Sequence, residues 1–441
     1  MVKKRLLAFA HALVAAELAL VFLVAPMLLF PSPRRMVVLA VFPLVWLAAR
    51  VSAGTWLPRT PLNLVLIVLL AMAGVSTWAT YDPTASLGKE TGLALGVSLV
   101  WAVARWMVTP SRLRVGVSAY LAAGAGLSVV GLVGTNWFSK FPALDAIITR
   151  LPKAIRGVPG AREGFHPNEV AGCLILFVPL QTALTCSSVK ACLASPAGGR
   201  GHELARLAAH ACLLCLMGGT LLLTQSRGAW TGMIVAGLVF CFWHSRLTRC
   251  VAGMLVLAGI LTVVALGPNR AANLAISSSG PGMASNVEGR MELWSRAIYG
   301  IQDFPITGMG MNTFRKIMPA LYPTFLTSPD LDVAHAHNQL LQAALDLGLP
   351  GLVAYVALWL LLAVMLTRVY RSATDSRIRV LAGGLGAGLI AQFAFGMTDA
   401  VALGAKAGIL FWLCVALVTA LHHVRQLPQT LDSNSQSFAR R

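Results

Sequence analysis

The chain has 441 residues, of which 57% are hydrophobic and 12% charged, and its mean hydropathy is +0.73. A soluble domain carries about a quarter charged residues, so this composition excludes a single soluble globular core. The formal net charge is +19, from 35 lysines and arginines against 16 aspartates and glutamates, a surplus that suits nucleic acid, anionic lipid headgroups or a phosphate-rich substrate.

Apolar runs of about 20 residues, the length that crosses a bilayer, occur along the chain. The first follows Lys3, Lys4 and Arg5 and is too long for a cleaved signal peptide, so we expect it to be retained. The fold class predicted is an all-α polytopic membrane protein with about 12 transmembrane helices. The predicted spans are 8–30, 36–51, 62–80, 92–109, 114–134, 168–187, 206–223, 228–245, 248–267, 338–369, 379–397 and 404–423.

The positions of lysine and arginine predict which loops face the cytoplasm. Basic residues near the N-terminus place it in the cytoplasm. Counting spans from there, the loops expected in the cytoplasm are basic. Arg34 and Arg35, in the first outside turn, are the exception. An even number of spans puts both termini in the cytoplasm. Since loop retention explains most of the positive charge, nucleic acid is not expected as a partner, but membrane lipids are.

Two predicted outside segments are long, 135–167 and 268–337. They divide the chain into spans one to nine with the first segment (1–267), the large loop (268–337), spans ten to twelve (338–423) and a disordered cytoplasmic tail (424–441). Both outside segments carry surplus base, which the topology rule disfavours, so an anionic ligand is expected there. The basic residues are Lys140, Arg150, Lys153, Arg156 and Arg162 in the first, and Arg270, Arg290, Arg296, Arg315 and Lys316 in the second.

Both outside segments also contain helical patterns. Five apolar residues of the large loop share one helical face, from which Arg290 and Arg296 are excluded, as is typical of a helix lying in the membrane interface. These apolar residues are Met291, Trp294, Ala297, Ile298 and Ile301. The stretch 141–155 shows a weaker version of the pattern.

His337 is the candidate catalytic residue, because it stands where the large outside loop enters the tenth span. A helix N-terminus disfavours a positively charged imidazole, so the ring is expected to be neutral and able to act as a general base. The alternative is a capping or interfacial histidine without chemistry. His335, two residues earlier, would point elsewhere on a helix.

Arg227 and Arg290 are the candidate anion-binding residues. Arg227 lies between the seventh and eighth spans with almost no loop, and an arginine is costly there unless it snorkels or binds a ligand. Arg290 begins the amphipathic helix, where a solvated surface charge is the alternative. Guanidinium groups bind phosphate with two parallel hydrogen bonds, so a phosphate ligand suits both.

A weaker set of candidate lining residues consists of Asn338, beside His337, and Arg162, His166 and Asn168 at the mouth of the sixth span. Asn168 could instead be only a helix N-cap. The outside loops contain no DxD pair and no His/Cys cluster, and the chain has no Gly-rich nucleotide loop. We therefore expect neither a metal nor a cofactor.

The stretch His337-Asn338, nine residues, then Gly348-Leu349-Pro350-Gly351 resembles the signature of bacterial O-antigen ligases. Ser226-Arg227-Gly228 and Gly289-Arg290 resemble two further hallmarks of the same superfamily. The motifs lie within 224–351, and the large outside loop between spans nine and ten also fits.

The resemblance implies a GT-C-like architecture in the bacterial inner membrane with the active site facing the periplasm. It implies a donor O-antigen chain on undecaprenyl pyrophosphate, an acceptor sugar hydroxyl on lipid A–core oligosaccharide, and metal-independent transfer with inversion. His337 would take the acceptor proton, and Arg227 and Arg290 would bind the pyrophosphate.

The superfamily also includes O-antigen polymerases and protein O-oligosaccharyltransferases, which use the same donor with another acceptor. A transporter of an anionic lipid-linked substrate is an alternative of another class, but it would need charged residues at mid-span depth and usually an internal repeat. A non-catalytic scaffold for envelope assembly is a third alternative.

Overall fold

A computed structural model describes residues 2–157, 161–196, 199–244, 246–268, 270–271, 287–326 and 332–425. In this part of the chain the secondary structure is helical, apart from one isolated bridge between Thr135 and Phe165. The predicted all-α polytopic class is confirmed. The tail prediction for 424–441 falls mostly outside the described residues, since the last helix ends at Arg425.

The α-helices of the described residues are numbered here in chain order. They are α1 Val2–Ala15, α2 Glu17–Leu29, α3 Val41–Ala53, α4 Asn63–Ala79, α5 Pro83–Trp106, α6 Pro110–Gly134, α7 Asp145–Ile148, α8 Pro167–Leu174, α9 Val178–Ala194, α10 Arg200–Leu223, α11 Arg227–His244, α12 Arg246–Leu266, α13 Val287–Asp303, α14 Phe314–Leu321, α15 Gln339–Ser372, α16 Ser376–Gly396 and α17 Ile409–Arg425.

Each of the twelve predicted spans coincides with one or two of these helices. Within the described residues, eight helices are long and apolar enough to cross a membrane, or up to ten if each of two bent pairs is one span. The pairs are α1 with α2, bent by 60°, and α8 with α9, bent by 44°. The third and eighth predicted spans correspond to α4 and α11, whose apolar parts are only 10–17 residues long, so the count of twelve spans remains a prediction.

Close helix packing around α16 brings the ends of several helices together. α16 packs against α9, α11 and α15, while α15 also packs against α4 and α17. A glycine allows α11 and α16 to approach closely: a Cβ on Gly232 of α11 would lie 2.5 Å from the carbonyl oxygen of Ala391 in α16. This contact places the first residues of α11 beside the segment that follows α16.

A break in α15 joins the large loop to the bundle. Gly348 has φ 69° and ψ 178°, and a Cβ there would lie 2.0 Å from a carbonyl oxygen of the turn that follows α13. The break lets Leu349 N–H donate to Pro305 O, and lets Met309 N–H donate to Leu345 O, each at 2.7 Å. Gly348, which is separated from His337-Asn338 by nine residues, therefore fixes the position of α13 relative to α15.

The helix predicted for the large loop is present as α13, its interfacial position remains a prediction, and the side that it buries differs from the predicted apolar face. Leu293 and Ala297 of α13 are buried against the bundle, and Arg290, which was expected off the apolar face, is only 3% exposed. Met291 and Ile298 are exposed instead. Packing against α15 thus selects a face rotated from the one that hydrophobicity alone indicates, and it buries a guanidinium group.

The weaker helical pattern at 141–155 forms only one helical turn, α7, after a 3-10 turn at Pro142–Leu144. The residues near the end of this stretch form no helical hydrogen bonds there; instead, the main-chain N–H groups of Ala154 and Ile155 donate to Val133 O at the end of α6. The segment is therefore tied back to the bundle, and the prediction of an interfacial helix over this stretch is wrong.

Candidate functional site

His337 contacts Asp399, which follows it by 62 residues in the sequence. It lies immediately before Asn338, the N-cap of α15, and has a left-handed backbone conformation, φ 49°. That conformation is uncommon for a residue with a Cβ and indicates that its surroundings hold it in place. The ring Nδ1 lies 3.2 Å from Oδ1 of Asp399, in the short connection between α16 and α17.

Asp399 is held by three hydrogen bonds. Its Oδ1 accepts from His337 Nδ1 and, at 2.9 Å, from the Ala400 main-chain N–H, while its Oδ2 accepts from Asn168 Nδ2 at 3.0 Å. The main-chain N–H of Asp399 closes the end of α16 on Phe395 O. The carboxylate is only 7% exposed, so it is fixed in place between α8, α15 and α16.

Electrostatics favours the ionised form of this carboxylate. Burial alone would raise the pKa of Asp399, but the hydrogen bond of His337, the charge that His337 has when protonated, and the charge of Arg290 hold it well below its ordinary range. Asp399 is therefore an anion that His337 and Arg290 surround.

His335 also faces this carboxylate, contrary to the expectation that it would point elsewhere. Residues 332–338 are not helical, and the two histidine rings lie 4.4 Å apart between centroids. His335 Nδ1 accepts the main-chain N–H of His337 at 3.2 Å, and its Nε2 lies 3.7 Å from Asp399 Oδ1. Burial, aided by the charge of His337, lowers the pKa of His335 to about 3, so this ring is neutral.

Side chains of α15 hold the segment that contains His335 and His337. The main-chain N–H of Ala336 donates to Gln342 Oε1 at 2.9 Å, and Gln342 Nε2 donates to Asp346 Oδ1 at 2.7 Å. Asp346 is paired with Lys89 of α5 at 3.7 Å. This chain of polar contacts ties the main chain beside His337 to two helices of the bundle.

Arg227 and Arg290 line one small cavity together with Asp399. Its volume is about 10 Å³, about that of one water molecule, so an anionic group larger than water would have to widen it. The other lining residues are Asn168, Ser226, Gly228, Phe395 and Thr398. Two guanidinium groups from separate helices, α11 and α13, thus meet beside the carboxylate that orients His337.

Arg290 is the more deeply buried of the two arginines. Its Nε atom has no hydrogen-bond partner within the described part of the chain. Burial lowers the pKa of Arg290 from its ordinary value, and the charge of Asp399 opposes this shift. A buried guanidinium group with an unsatisfied donor favours an acceptor from outside the chain, and an anionic oxygen satisfies it best.

Arg227 begins α11 and lies over an aromatic ring. Its guanidinium carbon is 5.1 Å from the centroid of Phe141, which itself stacks on Trp230 at 5.5 Å with an interplanar angle of 15°. Stacking of this kind orients the planar guanidinium group. The side chain is half-buried and remains accessible from the cavity.

The structure places the weaker candidates in different roles. Asn168 lies in the first turn of α8 and bonds to Asp399, whereas the N-cap of that helix is His166, whose Nδ1 accepts the Asn168 N–H at 3.2 Å. Asn338 caps α15, accepting from Leu340 and Leu341, so its side chain serves the helix end. Arg162 is exposed, and no side-chain bond joins it to this cluster within the described residues.

Three groups of the cluster could hold a metal ion. One ligand atom from each of His335, His337 and Asp399 lies within 4.8 Å of the others. Their only carboxylate, however, is already shared by His337 and Asn168 and faces the cation Arg290. The positive surroundings disfavour a divalent cation there, and metal independence remains a prediction.

Sequence reasoning missed Asp399, expected His335 to point elsewhere, and did not single out Lys140, whose Nζ lies 3.5 Å from Asn168 Oδ1. Asp399 had a usable signal, because it is an acidic residue in a short connection on the predicted outside face, between two apolar spans. Lys140 was recognised only as one of several surplus basic residues, and nothing in the pattern separates it from Lys153.

Residues 212–356 match the family model described as O-antigen ligase. The segment contains Arg227, Arg290 and His337, and over it the resemblance inferred from the motifs is confirmed. It covers roughly a third of the chain, so Asp399 and Lys140 lie outside it. No curated protein matches the chain.

Proposed function

We propose that this protein is an O-antigen ligase. It transfers an O-antigen chain from undecaprenyl pyrophosphate to a sugar hydroxyl of lipid A–core oligosaccharide, at the periplasmic face of the bacterial inner membrane and without a metal. The observation that carries the proposal is the meeting of the His337–Asp399 pair with Arg227 and Arg290, all at one end of the bundle. The family match over 212–356 supports the same class of reaction.

His337 acts as the general base through its Nε2 atom. Because Nδ1 lies 3.2 Å from an ionised carboxylate, the ring proton resides on Nδ1 and Nε2 is left as the acceptor. As the acceptor hydroxyl attacks the anomeric carbon, its proton passes to Nε2. Asp399 stabilises the imidazolium that forms, in the same way as the aspartate of a catalytic triad.

Arg227 and Arg290 stabilise the leaving group. The bond between the anomeric carbon and the pyrophosphate oxygen breaks as the new glycosidic bond forms, and negative charge accumulates on the departing undecaprenyl pyrophosphate. Two guanidinium groups can take up this charge with paired hydrogen bonds. Displacement from the face opposite the leaving group inverts the anomeric centre, and the energy of the donor removes any need for ATP.

The proposal is tested with the purified protein in liposomes, supplied with undecaprenyl-pyrophosphate-linked O-antigen. Lipid A–core and a serine-rich acceptor protein are offered in parallel, and the products are resolved on gels. We expect a ladder on lipid A–core only. No modification of lipid A–core would overturn the ligase assignment, modified protein would favour a protein O-oligosaccharyltransferase, and longer lipid-linked chains would favour a polymerase.

A chelation arm tests the metal-independent step. Since the proposed charge stabilisation comes from arginines, transfer should be unchanged after treatment with EDTA. Loss of transfer that a divalent cation restores would overturn this part of the proposal and would direct attention to His335, His337 and Asp399 as ligands.

A further inference from the structure

Lys140 reaches the cluster from the outside segment 135–167, which lies beyond the family match. Its Nζ lies 3.5 Å from Oδ1 of Asn168, whose amide nitrogen donates to Asp399. The ammonium group also lies 5.0 Å from the centroid of the Phe138 ring. Lys140 is thus separated from the organising carboxylate by a single side chain.

The side chain of Gln225 holds the main chain on both sides of Lys140. Gln225 Oε1 accepts the N–H groups of Lys140 and Phe141, each at 2.8 Å, and its Nε2 donates to Phe138 O at 3.4 Å. Gln225 is 1% exposed and has a left-handed conformation, φ 53°, in the short turn that precedes Arg227. The turn that presents Arg227 therefore also positions the residue that carries the ammonium group.

The surroundings of Lys140 leave its ammonium incompletely satisfied. It has three donors, but within the described residues it makes only the long bond to Asn168. The pKa of Lys140 is lowered to about 8, chiefly by burial; the charge of Asp399 opposes this shift and the charge of Arg227 adds to it. A desolvated cation beside a second cation favours an anion that bridges the two.

We propose that Lys140 is a third cation of the donor site, where it binds the phosphate oxygens beside Arg227, and that Gln225 is the residue that positions it. This inference rests on the proposed function, because the anion is taken to be the pyrophosphate of the lipid-linked donor. Lysine suits this role as a compact point charge, while the arginines supply oriented pairs of donors.

The test is the affinity of the purified full-length protein for undecaprenyl pyrophosphate. Lys140→Met removes the charge at similar side-chain length, and affinity should fall about tenfold. Lys140→Arg should retain most of it. Lys153→Met is the matched control: Lys153 lies in the same segment and is exposed, and among the described residues its ammonium group hydrogen-bonds only to Asn136 Oδ1, at 3.4 Å, so affinity should be unchanged.

A pH series gives a second readout. The ammonium is charged below its pKa, so wild-type affinity should decline as the pH rises through about 8, and Lys140→Arg should abolish this decline. Besides the guanidinium group of Arg227, Lys140 faces Asp399, whose pKa is held well below its ordinary range, and His166, whose pKa is lowered by burial, so neither of these two changes charge near pH 8.

Gln225 is tested by a double-mutant cycle. If it acts by positioning Lys140, Gln225→Leu should weaken donor binding, and Lys140→Met should cost little more in that background. Additive losses would overturn the positioning role.

These measurements distinguish failure of the role proposed for Lys140 from failure of the proposed ligase function. Equal affinities of Lys140→Met and Lys153→Met, or an alkaline decline that persists in Lys140→Arg, would overturn the role of Lys140. The proposed function would stand in that case, provided that the wild type still binds donor and transfers O-antigen. A wild type that binds no undecaprenyl pyrophosphate would overturn both.

Discussion

The segment 212–356 and the rest of the chain contribute different kinds of group to the same cluster. The segment supplies the proposed base His337 and the cations Arg227 and Arg290, each inside a short sequence motif. The rest supplies Asp399, Asn168 and Lys140, none of which belongs to such a motif. The segment thus carries the proposed base and the two arginines, while the remainder carries the anion that orients His337 and the third proposed cation, Lys140.

This comparison indicates that the motifs are not sufficient for the site. Asp399 accepts bonds from a residue on each side of the division, His337 from inside the segment and Asn168 from outside it. A change outside the segment can therefore disable the base without altering any motif. The predictions that follow test this division, from the largest expected effect to the smallest.

Loss of the base should have the largest effect. His337→Ala should lower the rate of transfer in liposomes by about 10²–10⁴-fold, because it removes the base proposed to take the proton of the acceptor hydroxyl. Donor binding should remain. His11→Ala is the control, since His11 is exposed and, in the described part of the chain, its side chain hydrogen-bonds only to Leu7 O. Normal transfer by His337→Ala would refute the base assignment.

Loss of charge at the orienting residue tests the contribution from outside the segment. In Asp399→Asn the amide oxygen can still accept from Nδ1, but it cannot stabilise the imidazolium, so kcat should fall about 100-fold with donor affinity retained. Asp332→Asn, which removes an exposed ion pair with Arg315 at 3.0 Å, should leave kcat unchanged. A normal kcat for Asp399→Asn would show that the segment suffices.

Two arginines of the same helix sharpen the comparison within the segment. Arg290→Lys should reduce transfer about 10- to 100-fold, because lysine lacks the fork of donors. Arg296→Lys should change it by less than about twofold, since Arg296 bonds to Pro323 O and lies over Tyr299 and Phe325, outside the cavity lining. Equal effects of the two substitutions would contradict the proposal that Arg290 binds the donor.

The smallest effect is expected at Arg162. It is exposed and makes no side-chain bond to the cluster within the described part of the chain, so Arg162→Gln should alter transfer by less than about twofold. Initial rates over a range of donor concentrations would measure it. A clear rise in KM for the donor would show that the first outside segment contributes more than Lys140.

The sequence by itself determined the helical class, the approximate positions of the helices, and the candidate base and arginines. Runs of apolar residues are long enough to be recognised without tertiary information, and an arginine between two such runs is unusual enough to stand out. The same reasoning selected His337, because it precedes a long apolar helix.

Only the tertiary structure decided which of these groups meet and what lies between them. Helical periodicity says which residues share a face of one helix, but the encounter of His337 with Asp399 depends on how α11, α15 and α16 pack. It also depends on the break at Gly348, which seats α13 and buries Arg290 on a face that hydrophobicity did not indicate. Close packing between distant parts of the chain, which no local pattern encodes, therefore formed the site.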